Sequence, residues 1–312
     1  MLSALASGRG RRLLARGPAA ILASALAFVV GTPTAHAATR HVWVAAVPAT
    51  WNAVPNARDA IHGTTFDPAD TIFPTVVYAR YTRNWGKPVR RPSIPGPLIH
   101  AHVGEKLRIH FKNLDMLRDA PHSMHFHGVE YRPSSDGIFL PLHDSRGGKV
   151  MPGQSFTYKL TAGPESAGVW PYHDHSMSME DSIAGGMYGA LSIRGRGEPR
   201  PDREFLVVFA PFHGFQTIDG RAFVGNTPVF TSKVGDTVQW DVMAMGDEFH
   251  TFHVHGHRWL TDGGTPEDTR GLGPAESFRV SWKEDAPGTW LYHCHVESHM
   301  AQGMIGLYLV RR

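Results

Sequence analysis

With 312 residues, 42% of them hydrophobic and 19% charged, the chain is long enough for two domains of ordinary size around substantial cores. Its formal charge of +3 rests on an N-terminal stretch with four arginines and no acids, so residues 38–312 carry 3 − 4 = −1 and leave no basic patch for nucleic acid. A single cysteine excludes an internal disulfide, and 33 Gly with 23 Pro favour short strands over long helices.

Arg9, Arg11, Arg12 and Arg16 open the chain with a positive region, Ala19 to Val30 is apolar, and Ala35-His36-Ala37 has the small-x-small form of a cleavage site. We expect residues 1–37 to be a signal peptide whose removal leaves an exported protein, extracellular or periplasmic, with no stable membrane anchor. The apolar run of twelve residues is too short to span a bilayer as a helix. Arg11-Arg12-Leu13-Leu14 is similar to a twin-arginine export signal, although ordinary secretion stays open.

Beyond Ala38 the chain reads as β-strands divided by Gly, Pro and Asn. Val42 to Val47, Thr75 to Arg80, Lys106 to Lys112 and Phe156 to Leu160 carry short or alternating apolar patterns, and Gly189 to Ile193 closes the series. Gly195 to Arg203 reads as a linker, and Phe205 to Phe209 starts a second set of strands. The expected organisation is a first domain over residues 38–195, a linker over 196–204 and a second domain over 205–312. No amphipathic run longer than about two helical turns stands out.

The two halves are copies. Pro97 and Gly104 answer to Pro228 and Gly235, with seven residues from Pro to Gly in both. His122, His125, His127 and Gly128 answer to His250, His253, His255 and Gly256. Pro152, Ser155 and Phe156 answer to Pro274, Ser277 and Phe278, while Trp170, Tyr172, His173, Asp174 and His175 answer to Trp290, Tyr292, His293, Cys294 and His295. Duplication of one β domain accounts for this order.

Residues two apart on a strand face the same side, so a His-x-His unit aims both imidazoles one way. Four units sit at matched places: His125/His127, His173/His175, His253/His255 and His293/His295. Together their eight imidazoles offer enough donors for about three copper ions. His100-Ala101-His102 is an internal control: its repeat partners are Thr231 and Lys233, no Gly follows, and it reads as a non-ligand pair. His41, His62, His110, His143, His213 and His257 take the same structural reading, with His257 the least secure because it lies two residues beyond His255.

Cys294 is a buried structural thiol, a nucleophile or a metal ligand. His299 follows five residues on and Met304 ten, which matches a blue copper site of two His, one Cys and a weak axial Met. His250 is the second imidazole. The first half has Asp174 in place of the cysteine and no histidine at the spacing of His299, while His122 and Met187 remain like parts of a lost site. Zinc is disfavoured, since a structural zinc site uses two or more Cys or a compact set of four ligands.

The string His-Cys-His-x3-His-x4-Met, with the four His-x-His units, resembles multicopper oxidases and most closely the two-domain bacterial small laccases. The resemblance runs over nearly all of residues 38–312. It implies an all-β fold of two cupredoxin-like Greek-key sandwiches, with type 1 copper on His250, Cys294, His299 and Met304 in the second domain only. His125 and His253 match type 2 ligands, and His127, His173, His175, His255, His293 and His295 match the type 3 pair, giving about four coppers per chain. Asp136, in Ser134-Ser135-Asp136-Gly137, matches an acid that helps deliver protons, and Tyr131 a tyrosine near the cluster. Their rival readings are a turn residue and a strand aromatic.

The resemblance further implies a homotrimer, with each cluster clasped between the first domain of one subunit and the second domain of its neighbour. The expected reaction couples one-electron oxidation of phenols or aromatic amines to four-electron reduction of O2 to water. Met177, Met179, Met243, Met245 and Met300 point to an alternative, oxidation of cuprous or similar ions, or simply fill cores. Copper nitrite reductase is a further alternative, but that family carries its blue site in the first domain. A non-catalytic protein for copper storage or electron transfer would leave His125, His127, His173 and His175 without a use.

Overall fold

The computed structural model describes residues 38–141, 146–261 and 263–312. The expected signal segment and His143 lie outside the described residues. In the first half, β1 (Thr39–Asn52), β2 (Ile72–Tyr81), β3 (Ile99–His102), β4 (Lys106–Asn113) and β5 (His125–Phe126) are followed by β6 (Glu130–Tyr131), β7 (Ser155–Thr161), β8 (Gly168–His173) and β9 (Tyr188–Arg194). They form two sheets, ordered β2-β1-β4-β7-β6 and β3-β9-β8-β5.

The second half runs β10 (Arg203–Phe212), β11 (Phe215–Ile218), β12 (Val229–Lys233), β13 (Thr237–Ala244) and β14 (His250–Val254). After a small hairpin of β15 (Trp259–Leu260) and β16 (Pro266–Glu267) come β17 (Thr269–Leu272), β18 (Ser277–Lys283), β19 (Gly288–Cys294) and β20 (Ile305–Arg311). Their sheets are β11-β10-β13-β18 and β12-β20-β19-β14-β17. Two short helices, α1 (Met179–Ala184) and α2 (Glu297–Ala301), follow β8 and β19 in the chain. Among the described residues no helix is long and apolar enough to cross a membrane.

Alternation builds the sandwiches. In β4, Leu107, Ile109 and Phe111 are buried while Lys106 is exposed and Arg108 and His110 are half-exposed, as a period of two requires. Leu107, Ile109 and Phe111 join Tyr78, Tyr158 and Tyr172 in one core, and Trp240, Phe252, Tyr292 and Tyr308 anchor the corresponding core of the second half. The chain is all-β, two cupredoxin-like Greek-key sandwiches.

The duplication is visible in hydrogen bonds as well as in sequence. β1 pairs parallel to β4 as β10 does to β13, and β3 pairs parallel to β9 as β12 does to β20. The Tyr172 hydroxyl donates to the Pro97 carbonyl at 2.6 Å, and its counterpart Tyr292 donates to Pro228 at 2.7 Å. A third apolar cluster joins the halves, where Trp51, Val77, Tyr188 and Ala190 meet Val208, Ala210, Phe212 and Met243. At its side Arg279 pairs with Asp241 at 2.7 Å and donates to the Ile193 and Gly168 carbonyls at 3.1 Å.

Candidate metal centres

Strand register gathers the imidazoles. β5 pairs with β8 so that His125 faces His173, and β14 pairs with β19 so that His253 faces His293. Glycines follow each first unit because the chain turns under a tryptophan there: Gly128 and Gly256 have φ of 69° and 71°. A Cβ on them would lie 2.0 Å from Trp170 and 2.7 Å from Trp290.

Three groups have donor atoms within 4.8 Å of one another: His125/His127/His173, His253/His255/His293 and His250/Cys294/His299. In the first two, nitrogens point at each other with no opposite charge between them. His127 Nε2 is 3.2 Å from His173 Nε2, and His255 Nε2 is 3.1 Å from His293 Nε2. The outer edges are tied to carbonyls: Nδ1 of His125 to Asp136 at 2.8 Å, His173 to Asp174 at 2.9 Å, His253 to Asp268 at 2.7 Å and His293 to Cys294 at 2.9 Å. A neutral imidazole that donates through Nδ1 keeps its Nε2 lone pair for a cation. Burial holds His127, His173 and His293 at about 4, so each is neutral at ordinary pH and free to bind metal. This donor set fits copper.

Each of these groups comes from one half of the chain; none among the described residues mixes the two quartets. His175 and His295 complete the quartets, with rings 5.2 Å from His125 and 5.5 Å from His253. The face of the second quartet opens on a cavity of about 640 Å³ lined by His255, His293, His295, Leu291, Met300 and Ile305.

The third group uses Nδ1 instead. His250 Nδ1 and His299 Nδ1 both stand 3.8 Å from Cys294 Sγ and 3.2 Å from each other. Burial pushes the thiol up, while the Thr251 N–H donates to Sγ at 3.4 Å. Met304 is fully buried, and its carbonyl accepts from the Cys294 N–H at 3.1 Å.

The first-half copy of this group repeats the backbone and changes the chemistry. The Asp174 N–H donates to Met187 as Cys294 does to Met304, and Met187 N–H donates to Ser182 as Met304 does to His299. Ser182 therefore stands where His299 does, a correspondence that residue spacing hides because the loop here is three residues longer. Asp174 accepts from Ser123 N at 2.7 Å and from Ser176 Oγ at 2.8 Å. Burial raises Asp174, but bonds from His122, Ser182 and Ser176 outweigh it and hold the carboxyl low. His122 lies between two buried acids, 3.4 Å from Asp115 and 3.5 Å from Asp174.

Asp136 and Tyr131 come together with the first quartet. Asp136 Oδ1 lies 3.0 Å from His125 Nδ1, and the Tyr131 ring meets His125 edge-on at 6.1 Å. Burial and then Asp136 push the phenol up to about 12. His100 pairs with Glu204 at 3.0 Å, outside any candidate metal group. Met243 and Met245 are core residues, whereas Met177 and Met179 are exposed.

Multicopper oxidase matches cover residues 91–198 and 198–312. The chain belongs to the multicopper oxidase family. Among its relatives, a probable nitrite reductase-hydroxylamine oxidoreductase fusion protein of Kuenenia stuttgartiensis is 33% identical over 244 residues, 70% of this chain and 28% of that protein. The human ferroxidase HEPHL1 is 26% identical over 345 residues, covering 87% of this chain and 29% of that one. The chain thus spans less than a third of these relatives. A solved multicopper oxidase superposes with a TM-score of 0.67 at 25% identity, covering 87% of this chain and 89% of its own.

Sequence reasoning missed two polar residues beside the sites. Glu248 Oε2 lies 3.6 Å from the outer nitrogen of His299 and accepts from Gln216 at 2.6 Å. Glu284 is buried against His257 at 3.0 Å. Neither belongs to a motif; the only signal was that Glu284 replaces an alanine of the first half.

Proposed function

We propose that the chain is a laccase-type oxidase of phenols or aromatic amines, with His250, Cys294 and His299 and axial Met304 holding a type 1 copper. His125 and His253 would hold type 2 copper, and His127, His173, His175, His255, His293 and His295 the type 3 pair, about four ions per chain. Bound copper supplies stepwise storage of single electrons and their joint delivery to O2. The observation that carries the reading is the bonding of Cys294 directly to His293 and His295. One peptide step separates the thiolate group from the imidazoles of the other group.

The residues divide the work. The outer edge of His299, only 12% exposed, is the contact point for a reductant, and Glu248 beside it accepts a hydrogen bond from a phenol or amine. Asp136, against His125, would pass protons inward, with Tyr131 beside it. Since each quartet lies within one half, closure of a cluster over eight imidazoles calls for a second copy of the chain. A homotrimer that sets the first domain (38–195) of one subunit against the second (205–312) of the next meets that need. Export after cleavage at residue 37 completes the proposal.

A second reading, oxidation of ferrous or cuprous ions, is favoured by the same Glu248 carboxylate, which suits a cation at the His299 edge. Oxygen uptake with a phenol against uptake with ferrous ion separates the two. The laccase reading expects phenol-driven uptake from copper-loaded protein; uptake with metal ion alone would contradict it.

A further inference from the structure

The second half carries a buried polar network that its copy lacks. His257 Nδ1 donates to the His255 carbonyl at 2.7 Å and Nε2 to Glu284 at 3.0 Å. Glu284 also accepts from Trp282 at 3.1 Å, from the Tyr308 hydroxyl, and from the Asp285 and Ala286 N–H groups at 3.1 Å. Ser232 joins Tyr308 at 2.6 Å. Both carboxylate oxygens are engaged as acceptors, Oε1 by His257 and the two N–H groups and Oε2 by Trp282 and Tyr308.

Strand register gives the first-half counterparts: Val129 for His257, Ala162 for Glu284, Leu191 for Tyr308, Ala101 for Ser232 and Leu160 for Trp282. The same backbone bonds flank both sites, Gly104 N–H to Ala162 and Gly235 N–H to Glu284. An apolar filling therefore suffices for the sandwich. Burying an ion pair where hydrophobic residues fit adds little net stability, so the fold alone does not explain the network. What it reaches is the turn after His255: the Ala286 carbonyl accepts from Trp290 at 2.9 Å, Trp290 presses on Gly256, and His257 grips the His255 carbonyl. His255 is itself exposed; its N–H donates to the Leu291 carbonyl at 2.9 Å, and its carbonyl, on the turn side, is held by His257.

We propose that His257 and Glu284 are positioning residues for the second imidazole quartet, locking the turn that carries His255 so that cluster copper is retained. This rests on the copper assignment above. The test uses the copper-loaded full chain, with the first-half residues transplanted as His257→Val together with Glu284→Ala, and with Glu284→Gln as a same-shape second variant. Copper release to a chelator, copper per chain and the blue absorption are followed.

The expected result is an unchanged blue absorption with cluster copper bound about 10- to 100-fold more weakly in the double variant and several-fold more weakly in Glu284→Gln. Release at the wild-type rate in a folded double variant, or in Glu284→Gln should the double variant not fold, overturns the proposal. Loss of the blue absorption in step with cluster copper also overturns it, because the effect is then general. Wild-type protein that holds no copper beyond the blue site overturns the assignment and the proposal with it.

Discussion

Cys294 differs from Asp174 by one side chain on a shared backbone, and in the proposed oxidase that difference assigns the entrance of electrons to the second half. Replacing Cys294 by Ser keeps volume and the Thr251 contact but removes the soft ligand. Phenol oxidation and blue absorption are both expected to vanish, with turnover down at least about 100-fold; turnover near the wild-type rate would refute the route. Glu204 supplies a test by pH. Burial raises its carboxyl, but His100, Ser192 and Arg194 outweigh this and hold it at about 2, below the ordinary 4.5. A depressed acid stabilises the fold above its unfolded value, and that contribution is lost as pH falls from 4.5 towards 2. Glu204→Gln is expected to cost on the order of 1–3 kcal/mol at pH 7 and to flatten acid unfolding in that window, measured by denaturant titration.

At the scale of elements, the strands present the imidazoles and the turns fix them. Gly128 has a positive φ and no room for a methyl against Trp170, so Gly128→Ala should destabilise by about 3 kcal/mol or more. Denaturant unfolding checks this, with Gly153→Ala, also at positive φ but in open space, as the milder control. The His-x-His units, their glycines and the repeat were legible because period two and ligand spacing are local properties. So was the all-β class, from the alternation in β4, although β1 extends well past the apolar core of Val42 to Val47. Ser182 as the counterpart of His299 was not legible, since a three-residue insertion shifts the spacing and only backbone pairing restores it. Glu284 and Glu248 were hidden for another reason: their partners lie 27 and 51 residues away, His257 and His299, and only folding brings them near.

Across the whole molecule the duplication becomes a division of labour. One half keeps the thiol group; the other has buried carboxylates around His122 in its place, and among the described residues no candidate metal group mixes the four imidazoles of one half with those of the other. Arg279 and the shared apolar cluster fix the halves against each other, as the proposed trimer requires of a subunit that offers each quartet to a different neighbour. Dilution that breaks the proposed trimer is expected to release cluster copper before blue copper, which sedimentation with copper analysis would follow.

The most direct measurement is copper per chain in fully loaded protein, determined together with O2 consumed per phenol oxidised. The account predicts about four coppers per chain and one O2 for about every four phenols, without peroxide. One copper per chain, or no oxygen uptake, would contradict it.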